Sequence, residues 1–183
     1  MYRPGYDRVP LDVVSTFTPG WGMGPRETIA ATAPSSAAFE SANRAVYFPL
    51  IVPATCVVRR VWWVNGTVVN ASYNVDVGIY SSVGYAPGVK LVSSGSTAQG
   101  TASEVQFADV TDTVLSPGAY WLAITCSSTT ATFFRSALTT ATLDAGYKFQ
   151  QDTALPLPSS ATPVESGDTQ NIYLFGFSTT ASP

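Results

Sequence analysis

The sequence predicts an all-β protein, an antiparallel β-sandwich carried behind an extended N-terminal arm. From Arg44 to Phe134, short runs of β-branched and aromatic residues are separated by Gly, Pro, Asn and Ser clusters, the punctuation of a sandwich or barrel. No helix-length window keeps the i, i+3, i+4, i+7 apolar spacing with caps, so helices should be few and short. The first 40 residues carry Pro4, Pro10, Pro19, Pro25 and Pro34 among several glycines and hold neither periodicity for long. With 183 residues, 45% of them hydrophobic, and a mean hydropathy of +0.16, the chain can bury one sizeable core. The expected division is an arm over 1–40 and one sandwich domain over 41–183, with no internal repeat.

Each element follows in order. The arm places Trp21 in the middle of Gly20-Trp-Gly-Met-Gly24, with Arg3 and Arg8 nearby and Asp7, Asp12 and Glu27 balancing the cations. It reads as a peptide that orders on assembly, Trp21 entering a neighbour's groove with Arg3 and Arg8 as further contacts. The rival is an arm laid along its own sandwich. Tyr47 to Val58 is the most apolar stretch, but Pro49 and Pro53 interrupt it and Arg59-Arg60 close it, well short of the roughly 18 residues a membrane span needs. Cys56 to Val64 suits a strand whose inward face is left open. Tyr73 to Tyr80 alternates cleanly, which predicts Tyr73, Val75, Val77 and Ile79 buried and Asn74, Asp76, Gly78 and Tyr80 wet.

Further along, Glu104 to Ala108 and Tyr120 to Cys126 are strands, the second introduced by the turn Ser116-Pro117-Gly118. Asp109 and Asp112 are expected to flank a turn at Val110-Thr111. Phe133-Phe134-Arg135 predicts a short strand between two Ser/Thr-rich loops. Leu155 to Gly167 reads as a Pro/Ser-rich connection, and Asn171 to Phe177 as a terminal strand that closes the sheet.

Chemistry is constrained chiefly by what the sequence lacks. With no histidine there is no imidazole base, no Ser-His-Asp or Cys-His arrangement and no His-rich metal site. A glycosidase needs only two facing carboxylates, for which Asp76, Glu104, Asp109 and Asp112 are the candidates. The expectation is nevertheless no enzyme, no cofactor and no metal. The closely spaced glycines around Trp21 lack the Lys and Ser/Thr of a phosphate loop. Cys56 and Cys126 lack any CxxC spacing and read as buried thiols, with an inter-sheet disulfide as the alternative. The opening residues have no apolar core of a secretory signal, so Asn65-Gly66-Thr67 and Asn70-Ala71-Ser72 read as turns rather than glycan acceptors. Charged residues make up 11% of the chain, its net charge is −3, and Ser plus Thr number 42. Such a surface gives no electrostatic reason to bind nucleic acid and suits packing against other subunits.

Gly78-Ile-Tyr80, Gly84-Tyr-Ala-Pro-Gly88, Leu91, Gly95 and Leu115-Ser-Pro-Gly-Ala-Tyr-Trp-Leu-Ala123, with Tyr47-Phe-Pro-Leu50 upstream, resemble a jelly-roll-like β-sandwich module of bacteriophage structural proteins. The likeness spans about a quarter of the chain and excludes the arm and the C-terminal segment. It implies the fold first and, second, a virion role on capsid, tail or fibre. The partners would then be other virion proteins and further copies, a homotrimer being favoured, and the location the particle after synthesis in the host cytoplasm. Similar phrases occur in carbohydrate-binding sandwiches, so the alternative is a glycan-binding module on a fibre that touches the host surface, with Trp63, Tyr80 and Tyr85 as its platform.

Overall fold

A computed structural model describes residues 17–18, 21–23, 35–137, 148–165 and 171–180. Every regular element among them is a strand. In chain order these are β1 (Phe17–Thr18), β2 (Trp21–Met23), β3 (Ser35–Ala38), β4 (Ala45–Val52), β5 (Cys56–Val64), β6 (Asn74–Val83), β7 (Ala86–Ser93) and β8 (Thr97–Ala98). There follow β9 (Val105–Leu115), β10 (Gly118–Cys126), β11 (Thr132–Ala137), β12 (Phe149–Gln151), β13 (Val164–Glu165), β14 (Asn171–Tyr173) and β15 (Phe175–Ser178). They pair antiparallel into a five-stranded sheet ordered β1-β2-β15-β5-β9 and a seven-stranded sheet ordered β13-β12-β4-β10-β6-β7, with β8 on β6. A three-stranded sheet, β14-β11-β3, completes the fold.

Alternation builds the main core. Phe48, Leu50 and Val52 of β4, Val75, Val77 and Ile79 of β6 and Leu122 and Ile124 of β10 point inward from the seven-stranded sheet. Val58, Val61 and Trp63 of β5 and Phe175 and Phe177 of β15 meet them from the five-stranded sheet. Phe48 and Phe175 touch edge to face with ring centroids 5.8 Å apart. The molecule is therefore the antiparallel β-sandwich that the sequence predicts. The short three-stranded sheet adds Phe133, Ile172 and Tyr173 to the same core.

The face of β6 expected to be wet is buried. Asp76 and Tyr80 have no exposed surface. Together with Tyr47, Trp121, Ala123 and Phe149, Tyr80 lies in a second apolar cluster beneath Ala154 and Leu157. The cover is the connection after β12, which runs across the back of the sheet and is fastened at both ends: Ala154 N–H donates to the Asn43 carbonyl and Ala161 N–H to that of Gly88. Gly78 makes room for it, because a Cβ there would stand 2.7 Å from the Val92 carbonyl oxygen and 3.0 Å from Leu157 Cδ1. Pro49 is tolerated in β4 because β12 pairs only with Ala45 to Tyr47, so at Pro49 the strand has a partner on one side only, β10.

Three more expectations are corrected. Asp109 and Asp112 flank no turn: they lie within β9, where Thr113 pairs Val58 and Asp109 pairs Arg60, leaving Val110, Thr111 and Asp112 opposite Arg59 alone. This is a bulge, which admits turn-like residues without ending the strand. In the seven-stranded sheet, Val83 of β6 pairs with Ala86 of β7 across a two-residue turn at Gly84-Tyr85. The terminal strand is two strands, and it changes sheets at Leu174: β14 pairs with β11 and β15 with β5. The arm does not extend to residue 40, because β3 pairs with β11 and Phe39 lies in the main core. Of the described residues in the expected arm, Trp21 to Met23 pair with Gly176 to Ser178 of the chain's own sandwich.

One buried ion pair locks this region. Lys148 Nζ lies 2.6 Å from Glu40 Oε2, both side chains fully buried, while Glu40 N–H donates to the Tyr173 hydroxyl. Lys148→Met leaves the carboxylate without this cation, and guanidinium denaturation is expected to read a loss of about 3–5 kcal/mol. Adding Glu40→Gln to Lys148→Met should restore most of that loss. Leu157→Ala, which opens a void over the second cluster, is expected to cost about 2–5 kcal/mol in the same measurement.

Candidate functional site

The residues predicted to act separate in space. Trp63 faces the main core fully buried and donates Nε1–H to Asn65 Oδ1 at 3.0 Å. Tyr80 is buried on the opposite side of the other sheet, its hydroxyl donating to the Pro158 carbonyl at 2.6 Å. Only Tyr85 reaches solvent, so the three form no platform. Arg3 and Arg8 lie outside the described residues, as does the side chain of Trp21.

The carboxylates are equally dispersed. Asp76 accepts from Leu157 N–H at 2.9 Å and from Ser94 Oγ at 3.2 Å, while Lys90 Nζ donates to the Leu157 carbonyl at 2.6 Å. Asp76 therefore anchors the covering segment. Asp109 and Asp112 stand on the outer surface of β9, paired with Arg60 and Arg59, and Glu104 is exposed just before that strand. Among the described residues no group of three or more His, Cys, Asp or Glu side chains is placed to hold a metal, and Cys56 and Cys126 are free thiols. Burial pushes the Cys126 thiol up to about 11, so it stays neutral and unreactive at ordinary pH. Asn65 is buried and donates Nδ2–H to the Thr101 carbonyl. Asn70 instead closes an exposed turn with Ser72.

What the surface does gather is apolar. Of the eight large hydrophobic side chains exposed among the described residues, Val83, Tyr85, Val89 and Leu91 belong to the β6–β7 hairpin and Val105 and Val114 to β9. Strands β7 and β9 are the edge strands of their sheets and run close to each other across the gap between them. Six of the eight thus lie on elements at one flank of the sandwich. Val83, Tyr85, Val89 and Leu91 fall within one hairpin, whereas Val105 and Val114 stand near opposite ends of β9. Neither strand offers an inviting backbone edge. Ser159 to Ala161 covers part of β7 through Lys90 N–H to the Ser159 carbonyl and Ala161 N–H to the Gly88 carbonyl, and the bulge bends β9. Contact at this flank is left to side chains.

Sequence reasoning missed this flank, although the uncharged run from Ser81 to Val89 was a readable sign of it. The motif residues that carry the phage resemblance have a structural role instead: Gly78 pairs with Ala123 and Tyr80 with Trp121 at the centre of the seven-stranded sheet. No family model and no curated protein matches this chain.

The buried carboxylate has a pH consequence. Burial raises the Asp76 pKa above its ordinary 3.8, although the Leu157 and Ser94 hydrogen bonds and the Lys90 charge oppose the rise. A carboxyl raised in the folded state favours folding most when protonated, and that contribution fades as pH climbs through the raised value. As pH climbs from the ordinary carboxyl value through the raised one, the stability of the wild type should fall relative to Asp76→Asn. Urea denaturation of the two proteins across that range checks this, and parallel curves would contradict it.

Proposed function

We propose that this chain is a non-enzymatic structural subunit of a tailed-phage virion, attached to neighbouring subunits through the flank formed by the β6–β7 hairpin and β9. The observation that carries this reading is the set of four exposed apolar side chains, Val83, Tyr85, Val89 and Leu91, on the β6–β7 hairpin. Such surface is costly to leave in water and is stabilised when a neighbour covers it. The virion assignment draws its support from the resemblance of Gly78-Ile-Tyr80, the hairpin and Leu115 to Ala123 to phage sandwich modules. A surface rich in hydroxyls, with 11% charged residues, suits permanent packing among subunits. The glycan platform has no such support, because Trp63 and Tyr80 are interior residues.

The test is compositional. Quantitative mass spectrometry of gradient-purified particles is expected to find the chain at a fixed ratio to the major capsid protein, retained through a second gradient at high salt. Recovery of the chain in the soluble lysate alone overturns the reading.

A further inference from the structure

Asn65-Gly66 is the only Asn-Gly pair in the chain, and the fold demands both residues. Asn65 has no exposed surface. Its Oδ1 accepts from Trp63 Nε1–H at 3.0 Å, and its Nδ2 donates to the Thr101 carbonyl at 3.0 Å and to Gln106 Oε1 at 3.2 Å. An ionised carboxylate could take the first bond but give neither of the others. Gln106 is not free to turn over in compensation, since its Oε1 also takes the Gly100 N–H and its Nε2 gives to the Ala98 carbonyl. At Gly66 a Cβ would overlap the hydroxyls of Ser36 and Thr132 and stand 2.8 Å from the Thr132 carbonyl carbon. Strands β3 and β11 thus leave room for glycine alone.

In an open chain this pair is chemically unstable. Once the Gly66 amide loses its proton to hydroxide, its nitrogen can attack Asn65 Cγ, unhindered because glycine has no side chain. A C–N bond closes a cyclic imide, and the Asn65 side-chain nitrogen leaves with a proton as ammonia. Water then opens the ring at either carbonyl, and Asn65 has become aspartate or isoaspartate. The folded protein opposes each step. Gly66 N–H is given to the Thr132 carbonyl at 2.8 Å, Ser103 N–H holds the Gly66 carbonyl, and Asn65 N–H is given to the Glu104 carbonyl at 2.9 Å. Three further bonds fix the Asn65 amide, so Cγ reaches the Gly66 nitrogen only after they break.

We propose that Asn65-Gly66 is a dormant modification site, which deamidates only when this segment opens and whose product bars the return. An aspartate formed from Asn65 presents oxygen to the Thr101 carbonyl and to Gln106 Oε1, both acceptors, and buries a charge beside them. Isoaspartate instead lengthens the backbone where Asn65 bridges Phe133. Either product turns a reversible opening into a permanent loss, which ties the lifetime of the protein to how rarely this segment opens.

Peptide mapping by mass spectrometry reads the conversion in the full-length protein, held in mildly alkaline buffer with and without guanidinium. The folded protein should convert at least about a hundred-fold more slowly than the unfolded one, the factor being set by the population of the open form. After ageing in guanidinium, the refolding yield should fall in step with conversion at Asn65, and the refolded fraction should be depleted of converted chains. Equal rates in folded and unfolded protein, no conversion in guanidinium, or converted chains that refold as readily as intact ones would each overturn the proposal.

Discussion

A sheet buried on both faces must find hydrogen bonds for whatever covers its second face, and in this protein that requirement organises the rest. The main core needs no such device, because two sheets satisfy their own backbones. The segment over the back of the seven-stranded sheet is irregular and would carry unsatisfied peptide groups into an apolar layer. Side chains of the sheet meet them: Asp76 takes the Leu157 N–H, Lys90 gives to the Leu157 carbonyl, and Tyr80 gives to the Pro158 carbonyl. Polar residues on this face are therefore the fastenings of a lid, not a wet surface.

The same economy appears at the margins of the sheets. An uncovered strand edge invites pairing with other chains, and the two long edges are treated differently. On β7 the end of the covering segment occupies part of the edge, while on β9 the bulge bends the strand and Arg59 and Arg60 neutralise its acids. With backbone routes obstructed, what this flank presents to its surroundings is side chains, several of them valines with a leucine and a tyrosine. The segments after β3 and before β12 are also joined by a buried ion pair, since Glu40 follows β3 and Lys148 precedes β12, far apart in sequence.

Much of the strand pattern was legible because period-two alternation is local. Val75, Val77 and Ile79 read as inward from sequence and are inward. The second face of the same strand was misread, since Asp76 and Gly78 look solvated when their cover comes from Leu157, about eighty residues away. The neighbouring strands held a better clue: Ala45 to Val52 and Tyr120 to Cys126 are nearly continuous apolar runs, the mark of burial on both sides. Asp109-Val-Thr-Asp112 carries the chemistry of a turn, and only register against β5 distinguishes a bulge from one. The Glu40–Lys148 pair had no local signal at all. The apolar flank had one, the long uncharged run through Tyr85, but exposure is a property of the folded surface and not of the run.

At Leu174 the chain leaves one sheet and enters another with no intervening loop. Its N–H donates to the Phe134 carbonyl on one side, and its own carbonyl accepts from Val64 N–H on the other. A single residue is thus stitched into two layers, and Tyr173 and Phe175 on either side of it anchor in one core. Force applied to the C-terminal strand is shared between both sheets before either can peel, so the sandwich resists unzipping from that end as a unit.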